Sequence, residues 1–157
     1  MPTLYVETEI NAAKSVVWQV LLHREKWLYW NTFLFDRDPN LPFEVGQKLF
    51  LSLRRVSGEE ETEFQPIVTR VQSETCLMWT TKIIGFRNQH VFELQEIGVN
   101  RTKYVHREIF NGWLVPIFLP FIRQDERQGM KRMAQELKSY VEEQSAKRRS
   151  GDRETEY

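Results

Sequence analysis

Two histidines and one carboxylate are the side chains in this chain whose types and spacing best suit chemistry. His90 lies in one run of alternating residues, and His106 and Glu108 lie in the next. Imidazole titrates near neutral pH and can donate or accept a proton, and a neighbouring carboxylate can fix its tautomer. The pattern indicates either a polar anchor for a ligand's carbonyl or hydroxyl group, or an acid/base pair for an aldol-type cyclisation. In the second case His106 is the candidate base and Glu108 its partner.

A structural role explains the same three residues. Each histidine can be hydrogen-bonded to backbone inside the core or at its rim, since a buried polar group without a partner costs about 1–3 kcal/mol. Both interpretations remain open from the sequence.

A β-hairpin between residues 86 and 112 is predicted to position these side chains. On each arm a period of two places one set of residues on the same face. Gly98 and Asn100 supply the positive φ angles that a tight reversal needs. The face that carries the candidate residues comprises His90, Phe92, Leu94, Tyr104, His106, Glu108 and Phe110.

The rest of the chain predicts six more elements of regular structure around this hairpin. A first strand spans residues 4–10, and Asn11 is the predicted N-cap of a helix whose apolar face includes Val17 and Leu21. Further strands are predicted at residues 49–53, 62–71 and 77–83, with a bulge or unpaired edge at Pro66. A C-terminal helix follows, with an apolar stripe of Met130, Met133, Leu137, Tyr140 and Val141.

These elements predict an α+β fold in which a curved antiparallel sheet of six or seven strands wraps around the long C-terminal helix. An antiparallel sheet must cover its apolar face, and only this helix is long enough to do so. A twisted sheet touches a straight helix along part of its length, so a cavity between them is expected.

Composition limits the class of protein and its partners. The 157 residues suit one domain, predicted at 1–146, with a charged and disordered tail at 147–157. Because 22 basic residues balance 22 acidic ones, no nucleic-acid partner is expected. Cys76 is the single cysteine, so a disulfide within the chain is impossible. We expect a cytoplasmic protein, monomeric or homodimeric, without secretion signal, membrane span, metal or cofactor.

The apolar run from Trp113 to Ile122 contains Pro116 and Pro120. Two prolines are predicted to keep this segment out of strand and helix interiors. It joins the sheet to the final helix, and we expect it to form a mouth or lid over the cavity. A docking patch for another protein or for a membrane surface is the alternative.

The order of several short motifs resembles the START-like, or SRPBCC, superfamily of helix-grip proteins, in particular its small polyketide cyclase/dehydrase-like bacterial members. These motifs are V-W at residues 17–18, W-N-x-F at 30–33, L-x-W at 77–79, H-x-F-x-L at 90–94 and T-x-x-x-H-x-E-x-F-x-G at 102–112. The pattern spans residues 4–141, and Thr32 stands where similar sequences commonly carry proline.

The resemblance implies a mostly apolar cavity for lipids, sterols, polyketides or related molecules, and it transfers no catalytic residue. The predicted function is binding of a small hydrophobic ligand, such as a lipid, polyketide or aromatic compound. A cofactor-independent polyketide cyclase, aromatase or dehydratase is one alternative, and an interaction module using residues 113–122 is another. Aromatic candidates can equally fill a plain core. The candidate ligand-binding residues are Trp30, Trp79, His90, Phe92, Tyr104, His106, Glu108, Phe110, Met133 and Leu137.

Overall fold

The computed structural model describes the backbone of residues 1–154 and the side chains of residues 1–148. The strands are β1 (Thr3–Ile10), β2 (Leu34–Asp36), β3 (Leu51–Leu53), β4 (Thr62–Phe64), β5 (Ile67–Gln72), β6 (Cys76–Ile83), β7 (Phe86–Gly98) and β8 (Arg101–Asn111). The helices are α1 (Lys14–Leu22), a short 3₁₀ helix (Arg24–Tyr29) and α2 (Val115–Glu154).

The main sheet is antiparallel and has the order β1-β8-β7-β6-β5. The predicted hairpin is confirmed as β7 and β8, and Asn100 takes a φ of 51° in its turn. The prediction of a positive φ at Gly98 is wrong, because that residue still pairs with Arg101 at the end of the ladder. His90 pairs with Glu108 across the two strands, and Phe92 pairs with His106. The predicted face of the hairpin is therefore buried as one surface.

A second sheet of three strands, in the order β2-β3-β4, accompanies the main one. The predicted single sheet of six or seven strands is wrong in this detail, as is the predicted continuous strand over residues 62–71. Pro66 has no backbone N–H for a ladder hydrogen bond, and the chain leaves the small sheet after Phe64 and enters the main sheet at Ile67. The α+β helix-grip architecture itself is confirmed.

Helix α1 begins later than predicted. Ala13 occupies its N-cap position, so the prediction of Asn11 as N-cap is wrong. The Asn11 backbone N–H instead donates to Glu142 Oε1 at 2.9 Å and ties the end of β1 to α2.

Helix α2 begins within the predicted lid segment and includes Pro120, so the exclusion of this segment from helix is wrong. Pro116 lies in the first turn, where a helical N–H has no partner in the helix. Pro120 therefore removes only one hydrogen bond, the one to the carbonyl of residue 116. The helix also continues through the predicted tail as far as Glu154, and residues 155–157 lie outside the described part of the chain.

The middle of α2 packs against the main sheet, chiefly β1 and β8. Met130, Met133 and Leu137 are completely buried there, as the apolar stripe predicted. Among the helices described, none is long and apolar enough to cross a membrane. In the first turns of α2, Val115 and Leu119 are also buried, and Phe118 packs on Phe86 of β7.

Candidate functional site

A cavity of about 860 Å³ lies between the main sheet, the small sheet and the N-terminal part of α2. Phe118 and Ile122 of α2 form one wall, and Phe64 of β4 forms another. Exposed residues such as Ile83 line its open side, whereas its closed end is formed by buried residues. These are Asn88, His90, Glu108, Phe110 and Glu126.

The closed end carries a polar cluster because period-two alternation in β7 and β8 turns three polar residues inward. His90 Nε2 lies 3.3 Å from Glu108 Oε1. The Asn88 amide donates to the same Glu108 oxygen at 2.8 Å. Helix α2 brings Glu126 to this group, only 1% exposed. Histidine, two carboxyls and an amide thus meet in one buried cluster.

His106 lies behind His90 and away from the cavity. Its Nε2 is 3.0 Å from His90 Nδ1, and its ring stacks on Phe92 with centroids 4.1 Å apart. His106 Nδ1 has no hydrogen-bond partner among the residues described. Burial without a partner costs less free energy for an unprotonated Nδ1 than for an Nδ1–H. This favours the tautomer in which His106 Nε2–H donates to His90. Burial and the neighbouring His90 hold the pKa of His106 well below its usual value, so His106 is neutral.

Glu108 and Glu126 face one another, and their pKa values separate. Burial and then the charge of Glu108 raise the pKa of Glu126 well above its ordinary value, in spite of the nearby Arg55. Burial also acts to raise the pKa of Glu108, but His90, Glu126 and Asn88 together lower it to about 2. The pair therefore holds one proton, on Glu126, and Glu108 is the ionised member.

Arg55 fixes the position of Glu126. Its Nε donates to Glu126 Oε2 at 2.5 Å. The other carboxyl oxygens of the pair, Glu108 Oε2 and Glu126 Oε1, are buried and make no hydrogen bond by distance and angle within residues 1–148. A proton on Glu126 Oε1 can be donated to Glu108 Oε2, and a guest in the cavity would compete for the same two atoms.

The candidate ligand-binding residues from the sequence separate into three groups. His90, Glu108 and Phe110 line the cavity. Trp30 lies elsewhere, stacked on Tyr140 with centroids 6.0 Å apart. The others are buried in the core and do not line the cavity walls that the structure describes: Trp79, Phe92, Tyr104, His106, Met133 and Leu137.

Three polar residues of this site were missed from the sequence, although two gave a signal. Asn88 precedes His90 by two positions, so the same alternation places it on the same face. Glu126 precedes Met130 by four positions and thus extends the apolar stripe of α2 with a carboxyl group. Arg55 follows a short strand in a loop-rich region and gave no local signal.

Sequence comparisons found no match, either to a protein family model or to a curated protein. Solved structures do match the fold. A START superfamily protein from Mycobacterium smegmatis shares 15% identity over 90% of this chain and 97% of its own, with a TM-score of 0.68. A protein from Chromobacterium violaceum shares 10% identity over 89% and 96%, with a TM-score of 0.70.

A truncated norcoclaurine synthase from Thalictrum flavum is also similar, with 16% identity over 89% of this chain and 92% of its own and a TM-score of 0.65. Identities this low establish the fold alone. The aligned residues make up 89–90% of this chain and 92–97% of the three matched chains, so the similarity extends over most of the domain. This chain has the START-like, SRPBCC-type helix-grip fold.

Proposed function

We propose that this protein binds a small, largely apolar molecule that carries a hydroxyl or carbonyl group, in the cavity between the sheets and α2. The observation that carries this proposal is the buried Glu108–Glu126 pair at the closed end of an open cavity with aromatic and aliphatic walls. Buried polar atoms without partners are costly, and a polar group on the ligand would relieve that cost.

The size of the cavity supports a small-molecule ligand. Its volume of about 860 Å³ lies within the range of ligand pockets. A ligand that buries about 300 Å² of apolar surface gains roughly 7 kcal/mol before the costs of association. Apolar burial would then supply the affinity, and the polar cluster would supply the orientation.

Aromatic walls favour a flat, ring-containing ligand over a long alkyl chain. Phe86 and Phe118 meet edge to face with centroids 5.0 Å apart, and Phe64 stacks on His90 at 6.2 Å. Such surfaces complement planar rings. Aromatic or polyketide-like compounds with a phenolic or keto oxygen are therefore the proposed ligand class.

The geometry offers less support for a cyclase-type enzyme with His106 as base. His106 lies behind His90, and His90 rather than His106 is beside Glu108. A general base must come within hydrogen-bond reach of its substrate. Binding is accordingly the function we propose.

Titration with the neutral fluorophore N-phenyl-1-naphthylamine tests this proposal, after co-purifying ligands are removed on a hydrophobic resin. We expect saturable binding with 1:1 stoichiometry. The variant I122W fills the cavity and should weaken binding roughly tenfold, equivalent to about 1.4 kcal/mol. The matched control is F121W, because Phe121 adjoins Ile122 on α2 but is 84% exposed and outside the cavity lining. Absence of saturable binding, or equal binding by both variants, would refute the proposal.

A further inference from the structure

His90, Glu108 and Glu126 come together at the closed end of the cavity. One potential ligand atom from each residue lies within 4.8 Å of the other two. All three side chains are more than nine-tenths buried. Glu108 Oε2 and Glu126 Oε1 make no hydrogen bond by distance and angle within residues 1–148, so only the proton held between the two carboxyl groups occupies them. Hydrogen bonding within the cluster thus leaves capacity for a further ligand.

We propose that His90, Glu108 and Glu126 form a binding site for a divalent first-row transition-metal ion, with Zn²⁺ or Mn²⁺ as the best-suited occupants. This site goes beyond the binding of an apolar ligand and does not depend on it. Chain spacing predicted no metal site because Glu126 lies on another element, 18 residues beyond Glu108 (126 − 108).

The geometry is close to that of a metal coordination shell. Metal–ligand distances of about 2.0–2.2 Å place neighbouring ligand atoms in a tetrahedral shell about 3.3 Å apart. His90 Nε2 and Glu108 Oε1 already lie at 3.3 Å. The three ligand atoms lie at most 4.8 Å apart, so no pair has to shorten by more than about 1.5 Å to reach the separation in a tetrahedral shell.

Outer hydrogen bonds orient both carboxyl ligands. Asn88 donates to Glu108 Oε1 at 2.8 Å and so orients the carboxylate, while Oε1 keeps a second lone pair and Oε2 makes no hydrogen bond by distance and angle to any residue described. Arg55 binds Glu126 Oε2 at 2.5 Å, which leaves Oε1 free. Metal-binding carboxylates are characteristically held in this way by a second layer of residues.

The histidine ligand is held in the same manner. His90 Nδ1 is hydrogen-bonded to His106 Nε2 at 3.0 Å, which directs His90 Nε2 towards Glu108. Metal binding requires a lone pair at His90 Nε2, so the His90 proton must lie on Nδ1 and be donated to His106. A tautomer exchange within this pair achieves that without any change in its proton count, at the cost of an N–H on His106 Nδ1, unpaired within the described part of the chain, that metal coordination must offset.

The donor set selects the class of ion. One imidazole and two carboxylates suit Zn²⁺ and Mn²⁺, whereas soft ions prefer thiolates, and the single cysteine, Cys76, is outside the cluster. Metal binding releases the proton of Glu126, and the two ionised carboxylates then balance a charge of 2+. Three protein ligands leave at least one coordination position facing the cavity, for water or for an oxygen of a ligand.

The test is a Zn²⁺ titration of chelator-stripped protein without any organic ligand, by competition with a chromophoric chelator. We expect one site per chain in the wild type and at least tenfold weaker binding in H90Q and E126Q. The controls H23Q and E61Q should bind as the wild type does. His23 lies outside the cluster, and Glu61 pairs with Arg54 on the surface. Wild-type binding no tighter than that of H90Q and E126Q would overturn the proposal.

X-ray absorption on the Zn²⁺-loaded wild type tests the site without any variant, in case a buried substitution prevents folding. We expect a shell of nitrogen and oxygen ligands containing one imidazole. A shell with sulfur or without imidazole would overturn the proposal. The fluorophore titration is performed on chelator-treated protein, so failure of the metal site and failure of ligand binding are separately visible.

Discussion

Arg55 Nε lies 2.5 Å from Glu126 Oε2, and this ion pair joins the segment after β3 to helix α2 at the closed end of the cavity. Arg132, also on α2, donates to the carbonyl oxygens of Arg54 at 2.7 Å and Arg55 at 3.2 Å. The helix is thus attached to the small sheet through polar contacts, and it packs on the main sheet through apolar ones. A cavity persists between the two attachments.

The proton shared by Glu108 and Glu126 predicts the pH dependence of stability in chelator-treated protein. The raised pKa of Glu126 gives stability that is complete below the ordinary carboxyl pKa of about 4.5 and is lost as the pH rises through the folded value. The lowered pKa of Glu108, about 2, gives the opposite dependence, with stability lost as the pH falls from about 4.5 to 2.

Urea unfolding between pH 5 and 9 measures the first effect. The free energy of unfolding of the wild type should fall across this range, and E126Q, which has no proton to release there, should lack this decline. Each unit of pKa shift corresponds to about 1.4 kcal/mol. E61Q alters a half-exposed ion pair and should follow the wild type. Parallel curves for wild type and E126Q would contradict the assignment of the proton.

Glu108 is predicted to recognise a hydroxyl group on the ligand. The wild type should bind 1-naphthol about tenfold more tightly than naphthalene, because a hydrogen bond to a charged acceptor is worth about 1.5–3 kcal/mol. In E108M this ratio should fall to near one. The ratio of the two affinities, from calorimetric titration, does not depend on variant stability. An unchanged ratio would place the polar anchor elsewhere.

Trp79 is predicted to stabilise the core without contacting the ligand. Its ring is buried against Phe92, with centroids 4.8 Å apart, and against Trp27 at 6.3 Å. W79F should lower the free energy of unfolding by about 1–3 kcal/mol through the cavity that it creates. The fluorophore dissociation constant, measured where the variant is folded, should change less than threefold. A large loss of affinity with unchanged stability would make Trp79 part of the binding wall.

Gly129 is required by the packing of α2 on Phe33. A Cβ atom at position 129 would lie 2.5 Å from Phe33 Cδ2. G129A should therefore destabilise the protein by about 1–3 kcal/mol, although alanine favours a helix over glycine by about 1 kcal/mol. Q128A, at the exposed neighbouring position, should be neutral or slightly stabilising. Adding F33L to G129A should recover part of the loss in thermal unfolding, and absence of any recovery would argue against this contact.

Local periodicity predicted much of the fold, and chain-distant contacts explain most of the rest. Period-two alternation placed His90, His106 and Glu108 on one buried face of a hairpin, which the register of β7 and β8 confirms. The sequence predicted a bulge or an unpaired edge at Pro66 and not a break between two sheets. Proline is expected at all of these positions, because it lacks the N–H for a ladder hydrogen bond. Glu126 was missed because only the packing of α2 against the sheet brings its carboxyl group to Glu108, and local periodicity does not predict that packing.

The start of α2 shows a different limit of sequence interpretation. Pro116 and Pro120 were taken to exclude helix from the predicted lid segment, yet a proline in the first turn removes no helical hydrogen bond and one shortly after it removes one. Apolar burial of Phe118 and Ile122 around the cavity evidently outweighs that loss. Their spacing of four residues, which is helical, was the signal that favoured the correct result.

Residue-resolved NMR of isoleucine δ1 methyl groups tests most directly that the cavity binds the ligand. In a titration with 1-naphthol, the methyl groups of Ile122 and Ile67, which line the cavity, should shift and saturate together. Those of Ile117 and Ile97, outside the lining, should remain in place. Saturable shifts confined to Ile117 and Ile97, or no saturable shift at any of the four, would contradict the proposed site.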